Sequence, residues 1–234
     1  MCIRDSFNIV HFLATAKFDA AFVGRASHAG AFPEYGKNAL LAAVAAAANI
    51  AAIPRHSEGA SRVNVGYLQA GTGRNVVPER AYMQIETRGA TSGINAHVRA
   101  RADRILEGAA HMYDCALEIT EMGGAPGASN SPALAQLLAE INDAARVYSD
   151  VAACEDLGAS DDFSYYMERV QQLGGQGAYI FYGGVNNAVH HNPLFSVDEA
   201  SMANILRFLS AAVPALLRRK GDPAGECGLC DSAH

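Results

Sequence analysis

Apolar and polar residues alternate in several short segments of the first half of the chain, and two longer segments repeat apolar residues at helical spacing. Alternation predicts strands, because successive side chains of a strand point to opposite faces, whereas the longer repeat predicts amphipathic helices. The predicted elements are a strand Lys17–Gly24, a helix Ala39–Ile53 with Asn38 as its N-cap, strands Arg62–Ala70 and Arg80–Arg88, a helix from Ser92 or Asn95 to Tyr113, and a strand Ala116–Met122. The order βαββαβ predicts a ferredoxin-like α+β unit, a four-stranded antiparallel sheet with both helices on one face.

The pattern changes after the glycine-rich segment Gly123–Gly127, which predicts a boundary. The elements predicted beyond it are helices Pro132–Ala145 and Asp161–Val170, a buried strand Ala178–Tyr182 and a helix Asp198–Leu217. This alternation is typical of an α/β layer, but so few strands cannot complete a sheet. Residues 221–234 are rich in glycine, proline and serine and are interpreted as a tail.

Composition narrows the class of protein. The chain has 234 residues, 50% of them hydrophobic, which is enough for a sizeable core. Its formal net charge is −6 and its basic residues are scattered, which argues against a nucleic-acid partner. The longest apolar run, Ala39–Ile53, is shorter than the roughly 20 residues that a membrane span needs, so we expect a buried helix and no membrane partner. Five cysteines at irregular spacing indicate a reducing compartment and hence a cytoplasmic protein.

Two loops that contain histidine are candidates for chemistry. His190 and His191 follow the predicted strand Ala178–Tyr182, and metals often bind in loops at the ends of such strands through imidazole ligands. His28 lies in a glycine-rich loop ahead of a predicted helix, where it could face an anion or a developing oxyanion. The alternative for both loops is a solvated histidine without a ligand.

The segment Gly71–Asn75 resembles a phosphate-binding loop in its glycine content. It joins two predicted strands and precedes no helix, so the context for nucleotide binding is absent. Arg74 and Asn75 remain as polar residues at a loop tip, and Arg88 lies on the polar face of a strand, where a guanidinium group suits a carboxylate. The alternative is an arginine paired with a nearby glutamate such as Glu86.

Two further motifs have more ordinary interpretations. Ser160 and Asp161 directly precede a predicted helix, and either is a suitable N-cap. Cys227 and Cys230 have CxxC spacing close to His234, but a second CxxC pair is missing and the motif lies in the tail. A zinc site there is the less favoured interpretation, and the role of the two cysteines is left open.

Seven motifs follow one another along the chain: Ala26–Gly30, Gly36–Ala43, His56–Gly59, Arg62–Gly66, Gly71–Pro78, Glu86–Gly89 and His190–Asn192. Together they resemble the M20 family of metal-dependent amidohydrolases and carboxypeptidases, in particular its aminobenzoyl-glutamate hydrolase branch. The resemblance extends from Phe12 to Leu217. It implies a ferredoxin-like lid that dimerises, joined to an α/β zinc-peptidase-like catalytic domain that holds two divalent metal ions, Zn or Mn.

The resemblance also implies roles for individual residues. His191 matches a metal ligand, and His28 matches a lid histidine that stabilises the tetrahedral oxyanion, usually in the active site of the partner protomer. Asn75 and Arg88 match lid residues that hold the carbonyl and the carboxylate of the substrate. Many relatives have a small residue where Arg74 stands, so we hypothesise that Arg74 contacts a second carboxylate, as in a glutamyl substrate.

The implied function is metal-dependent hydrolysis of the amide bond of N-acyl amino acids, with aminobenzoyl-glutamate or a similar aryl-glutamate as the favoured substrate. The implied assembly is a homodimer, or a heterodimer with a related subunit, formed through the lid. A non-catalytic dimerisation or binding module is the alternative.

The family pattern begins with a catalytic segment bearing metal-binding and general-base residues, and we find no match to it ahead of the predicted lid. We therefore expect an N-terminally truncated chain that is inactive alone. On this basis residues 1–16 are interpreted as an atypical start and remnant of the catalytic domain, 17–122 as the lid, 123–220 as the C-terminal part of the catalytic domain and 221–234 as the tail.

Overall fold

The computed structural model describes residues 6–9, 11–153, 159–183, 188 and 192–219. In chain order its elements are β1 (Ser6–Ile9), β2 (His11–Phe12), β3 (Ala14–Val23), α1 (Ala39–Ala51), β4 (Ser61–Ala70), β5 (Arg80–Gly89), α2 (Ser92–Met112), β6 (Ala116–Ala125), β7 (Ala128–Ser129), α3 (Pro132–Ala145), β8 (Asp150–Ala153), α4 (Phe163–Gln172), β9 (Ile180–Tyr182) and α5 (Ala200–Arg219). The chain divides into two compact units. The large unit comprises His11–Ser129 and Asp156–Gly175, and the small unit comprises Met1–Val10, Asn130–Glu155 and Gln176–His234.

The large unit is built on a four-stranded sheet with the strand order β4-β5-β3-β6. All neighbouring strands are antiparallel, and the register places Phe18 of β3 between Ile85 of β5 and Glu121 of β6. α1 follows β3 and α2 follows β5, and both helices pack against the same face of the sheet. The predicted ferredoxin-like order βαββαβ is therefore confirmed.

A single core joins the two helices to the inner face of this sheet. Phe18, Ala20 and Phe22 alternate along β3 and are almost completely buried. The buried residues of α1 are Ala39, Ala42, Ala43, Ala46 and Ile50. Because most of these side chains are short, the helix approaches the sheet closely and the phenylalanines fill the remaining space, each contributing about 1.5–3 kcal/mol. The predicted cap is confirmed, since the Asn38 side chain accepts a hydrogen bond from Leu41 N at 3.1 Å.

The fourth strand of this sheet, β6, extends three residues beyond the predicted end, to Ala125. The glycines that predicted a boundary allow an irregularity inside the strand instead. Gly123 has φ +136°, which favours glycine, and the register with β3 shifts between Lys17 and Phe18 at this point. At Gly124, a Cβ atom would lie 2.6 Å from Thr15 O, so only glycine allows β3 and β6 to approach this closely.

The opposite face of the four-stranded sheet carries polar side chains and no helix of the βαββαβ unit. Lys17, Asp19 and Glu86 line a shallow pocket on this face beside Asn64 and Gly66 of the edge strand β4. β4 is irregular at this point, because its register with β5 shifts between Val65 and Tyr67. We call this surface the open face.

The small unit has a partial sheet, as the sequence predicted. In the described part of the chain its strand order is β8-β1-β9, with β1 parallel to β8 and antiparallel to β9. The sequence did not predict β1 or β8, because a strand of four residues is too short to show a period and is held by pairing with distant strands. Ile180–Tyr182 is also shorter than the predicted strand and only half-buried.

The helix α4 differs from the sequence prediction in its start and in the unit to which it belongs. It begins at Phe163 and is part of the large unit, where Tyr165 donates a hydrogen bond to Gly124 O (3.1 Å) and Gln171 donates one to Ser129 O (2.9 Å). The N-cap position is Asp162, although the side chain of Asp161 accepts a hydrogen bond from Phe163 N at 2.9 Å.

The last helix, α5, spans Ala200–Arg219, so it begins and ends two residues later than predicted. Over Ala200–Arg218 it is long and apolar enough to cross a membrane, by length and composition only. Its Phe208 and Ala212 are buried in the small-unit core beside Leu138 and Tyr148. Its exposed apolar side chains are Met202, Leu206, Leu209, Val213 and Leu217.

Candidate functional site

Two loops that are distant in sequence pair at one end of the four-stranded sheet. His28 and Val76 form an isolated antiparallel bridge. Ala29 N donates a hydrogen bond to Asn75 O (2.9 Å), and Val77 N donates one to Ser27 O (2.9 Å). The structure therefore brings together two of the predicted site residues, His28 and Asn75.

The His28 ring is held by backbone donors of its own loop. Its Nδ1 accepts hydrogen bonds from Ala31 N at 2.9 Å and from Gly30 N at 3.2 Å. An Nδ1 that accepts has no proton, so a neutral His28 carries its proton on Nε2 and presents an N–H donor there. The side chain is exposed. This arrangement suits donation to a developing oxyanion on a molecule that approaches from solvent.

The loop that carries Arg74 and Asn75 is anchored at its base. Gly24 N donates to Glu79 O at 2.7 Å, and Ala39 N donates to Pro78 O at 2.9 Å. These bonds fasten the loop to the end of β3 and to the start of α1. Arg74 and Asn75 themselves are exposed at the loop tip, which is available to a ligand.

Arg88 lies at the other end of the sheet. It is on β5, and its Nε and Nη2 donate to the two carboxylate oxygens of Glu86 at 3.0 and 3.1 Å. The pairing that the sequence offered as the alternative is thus present. Both side chains keep about 30% of their surface exposed, so the ion pair is screened by solvent.

A large distance separates Arg88 from the His28–Asn75 pair. Arg80, at the start of β5, lies opposite Val23, where β3 leads into the His28 loop. A strand rises about 3.3 Å per residue, so Arg80 and Arg88 are roughly 25 Å apart. In a single chain the structure does not bring Arg88 together with His28 and Asn75.

No group of three or more His, Cys, Asp or Glu side chains that could hold a metal ion occurs among the residues that the structure describes. The predicted ligand His191, like His190, lies outside the described residues. Cys227, Cys230 and His234 lie outside them as well.

Tyr82, for which the sequence predicted no role, lies beside the loop with Asn75. Its hydroxyl donates a hydrogen bond to Asp19 on the neighbouring strand, and this bond raises the pKa of Tyr82. Its ring contacts that of Tyr67 edge to face, with centroids 6.1 Å apart. The alternation along the strand predicts that Tyr82 lies on the open face. The sequence therefore did contain a signal for the cluster of Tyr82, Asp19 and Tyr67.

Comparison with known proteins identifies the large unit. Residues 12–114 match the model of the M20 peptidase dimerisation domain. The chain is 48% identical to an indole-3-acetyl-aspartic acid hydrolase from Enterobacter agglomerans over 196 residues, which is 82% of this chain and 44% of the relative. It is also 48% identical to one of the subunits of the p-aminobenzoyl-glutamate hydrolase of Escherichia coli K12 over 194 residues, with the same shares. The chain thus spans less than half the length of these curated relatives.

Solved structures agree with this similarity. The aminobenzoyl-glutamate utilization protein from Klebsiella pneumoniae superimposes with a TM-score of 0.74 at 42% identity, over 88% of this chain and 50% of that protein. A dinuclear metal-binding peptidase of the M20 family from Bacillus subtilis superimposes with a TM-score of 0.71 at 18% identity, over 93% of this chain and 55% of the peptidase. The second similarity concerns the fold alone.

Proposed function

This chain belongs to the M20 peptidase family, and from that premise we propose that the whole protein hydrolyses the amide bond between an aromatic acyl group and an acidic amino acid. The relatives at 48% identity are named for p-aminobenzoyl-glutamate and indole-3-acetyl-aspartate, which are both amides of this kind. Aminobenzoyl-glutamate or a similar aryl-glutamate is the favoured substrate. The observation that carries the proposal is the backbone pairing of the His28 and Asn75 loops, in which both side chains are exposed and the Nδ1 of His28 accepts from backbone donors, which leaves an N–H at Nε2.

In the proposed reaction, a water molecule gives up a proton as its oxygen bonds to the amide carbon, and the carbonyl oxygen becomes an oxyanion. The tetrahedral intermediate then breaks its C–N bond and releases the amino acid, whose nitrogen takes up that proton. His28 Nε2–H and the side-chain N–H of Asn75 donate hydrogen bonds to the carbonyl oxygen. Fixed hydrogen-bond donors lower the activation barrier because their bonds to the oxygen become stronger as its negative charge develops. The backbone hydrogen bonds to His28 Nδ1 keep the ring in the tautomer that carries its proton on Nε2. Arg88 binds the α-carboxylate of the amino acid, and Arg74 contacts the second carboxylate of a glutamyl group.

One chain cannot supply all of these contacts to one substrate. Arg88 lies roughly 25 Å from the end of β5 that leads into the His28–Asn75 pair, whereas an extended aryl-glutamate is about half as long. We therefore propose that each active site takes Arg88 from one protomer, and His28 and Asn75 from its partner. The partner is a second copy of this chain or a related subunit, joined through the dimerisation domain.

The proposed hydrolase uses divalent metal ions, Zn or Mn and two per active site, which would supply an activated water when bound. His191 is the ligand that we propose this chain contributes. We also propose a cytoplasmic location, on the cysteine content given above. The proposal for the 234-residue chain alone is a dimerisation module without turnover.

The test uses the whole protein, assayed for release of 4-aminobenzoate from aminobenzoyl-glutamate with added Mn²⁺ or Zn²⁺. His28→Ala is expected to lower kcat about 10²- to 10³-fold, the usual effect of removing an oxyanion donor. His111→Ala is the matched control, because His111 is exposed on α2 and takes no part in the proposed site. Unchanged kcat in His28→Ala would refute the assigned role. Turnover by the 234-residue chain alone would show that it already holds a complete active site.

A further inference from the structure

A pocket of about 340 Å³ lies beneath the loop that carries Asn75, at the same end of the sheet. Its walls include small and apolar side chains from β3, the loop after it, the end of β4 and the Asn75 loop, together with the ring of Tyr82: Ala21, Ala26, Ala70, Val76, Pro78 and Tyr82. We propose that this pocket binds the aromatic ring of the acyl group. The inference rests on the proposed function, because it concerns the substrate class of the same site.

The size and walls of the pocket suit an aromatic ring. Ligand pockets of this size, lined mainly by apolar side chains with a few polar groups, are typical of small-molecule sites. The space exists because Ala21, Ala26 and Ala70 are small. Tyr82 forms a fixed wall, since its hydroxyl bonds to Asp19 and its ring contacts Tyr67. A flat ring stacked or set edge-on against this wall would bury apolar surface on both sides.

The pocket is also adjacent to the two oxyanion donors. Val76 lines it, directly follows Asn75 in the chain and forms the bridge with His28. In an aromatic acyl group the reacting carbonyl is attached to the ring or lies one carbon away from it. Consecutive Cα atoms are about 3.8 Å apart, so a ring held against Val76 places its carbonyl within reach of Asn75 and His28.

Polar side chains that line the pocket can accept hydrogen bonds from N–H groups on the aromatic ring of the acyl group. Gln69, Glu79 and Arg80 line the same pocket, and the Glu79 carboxylate offers acceptor oxygens, whereas Gln69 Oε1 already accepts a hydrogen bond from the Tyr67 hydroxyl at 2.7 Å. A 4-aminobenzoyl group and an indole ring each carry an N–H donor on the aromatic system. Hydrogen bonds at the rim would therefore favour amino-substituted and indole rings over plain phenyl rings.

The first test measures binding without catalysis. The ¹⁵N-labelled 234-residue chain is titrated with 4-aminobenzamide, a neutral compound that carries the ring and the amide, and with acetamide as the probe for the amide alone. We expect saturable shifts of the backbone amides of Thr72, Val76 and Ala26, with a dissociation constant of about 1 mM, and no saturable shifts with acetamide. Equal effects of the two compounds, or shifts elsewhere on the chain, would overturn the proposal.

Variants show whether 4-aminobenzamide binds in this pocket or elsewhere on the chain. Ala21→Leu fills the pocket and is expected to weaken 4-aminobenzamide binding at least about tenfold. Ala116→Leu adds the same atoms at an exposed position of β6 outside the pocket and should leave binding unchanged. If Ala21→Leu does not fold, Thr72→Phe serves instead, because Thr72 lies on an exposed loop at the pocket and a large ring there obstructs access. Unchanged binding in the folded variant would overturn the proposal.

The whole protein separates this inference from the proposed function. Ala21→Leu is expected to raise KM for aminobenzoyl-glutamate about tenfold while KM for N-acetyl-glutamate stays unchanged. If neither amide is hydrolysed by the wild-type protein but 4-aminobenzamide binds in the pocket, the proposed function fails and the pocket assignment stands. If both amides are hydrolysed and Ala21→Leu changes them equally, the pocket assignment fails and the proposed function stands.

Discussion

Mixing two inactive variants should restore activity if each active site is shared between protomers. The pair is His28→Ala and Arg88→Ala in the whole protein, and the prediction applies to a dimer of identical chains. In a mixed dimer, one site takes Arg88 from the first variant and His28 from the second, so it is intact. The other site lacks both residues and is inactive. This arrangement is proposed because the two residues lie at opposite ends of the same sheet.

The expected recovery follows from counting protomers. Equal mixing with free exchange makes half of the dimers mixed, and each has one working site of two, so activity returns to about a quarter of the wild-type value. Each variant alone should fall about 10²-fold or more, as expected for the loss of an oxyanion donor or a charge-assisted contact. Co-expression with two affinity tags isolates the mixed dimer, which should then show about half of the wild-type activity.

A second mixture is the matched control. His28→Ala with Asn75→Ala should show no recovery, because the bridge between their loops delivers both residues to the same site. Each site of that mixed dimer lacks one of the two donors. The assay is release of 4-aminobenzoate after the protomers have exchanged. Recovery in this control, or none in the His28 and Arg88 mixture, would refute the assignment of these residues to different ends of a shared site.

Three further outcomes are expected. Arg74→Ala should raise KM for aminobenzoyl-glutamate about tenfold or more, because the loss of one charge-assisted hydrogen bond weakens binding by about that factor. An unchanged steady-state KM would refute the proposed contact of Arg74 with the substrate. Phe22→Ala should lower the free energy of unfolding by about 3–5 kcal/mol in urea titrations, because Phe22 is 0% exposed, whereas Leu41→Ala at an exposed position of α1 should change it little. The hydrogen bond from Arg99 holds the pKa of Glu121 below its usual range. The contribution of this ion pair to folding stability is therefore fully present above the ordinary carboxyl pKa and is lost as the pH falls through the lowered pKa. Glu121→Gln should therefore lose part of the dependence of stability on acid pH, and an unchanged pH profile would contradict this.

Much of the large unit could be predicted because its elements follow simple periods. The alternation along β3 puts Phe18 and Phe22 on one face, and burial of that face fixes the register of the strand. In the small unit, the limits of α3 were also predicted correctly. α3 begins at Pro132, a favoured first position, and ends before Arg146, which has φ +49°.

Glycines were harder to interpret from sequence. A run of them indicates freedom of the backbone but does not say whether the chain turns away or continues with an irregularity. At Gly123 and Gly124 the strand continues, because β3 already lies alongside and needs the close approach that Gly124 allows. That requirement comes from the neighbouring strand and cannot be read from the glycines themselves.

The candidate site shows the same limit. Residue types indicated His28, Asn75 and Arg88, but periodicity cannot show which of them meet. The bridge between His28 and Val76 joins loops that are separated by α1 and β4. Conversely, Arg88 is close to Asn75 in sequence and far from it in space, because the intervening strand β5 is extended over its whole length.

The extended form of β5 gives the dimerisation domain its function in this proposal. A strand of this length holds Arg80 and Arg88 roughly 25 Å apart, so neither end can reach the other through side-chain movement. One end holds Arg88, the proposed carboxylate-binding residue, and the other leads to the proposed oxyanion donors and the pocket beneath them. Each end is incomplete as a site for an aryl-glutamate. In the proposed dimer, a second protomer presents the opposite end and completes the site, so dimerisation is a requirement for substrate binding.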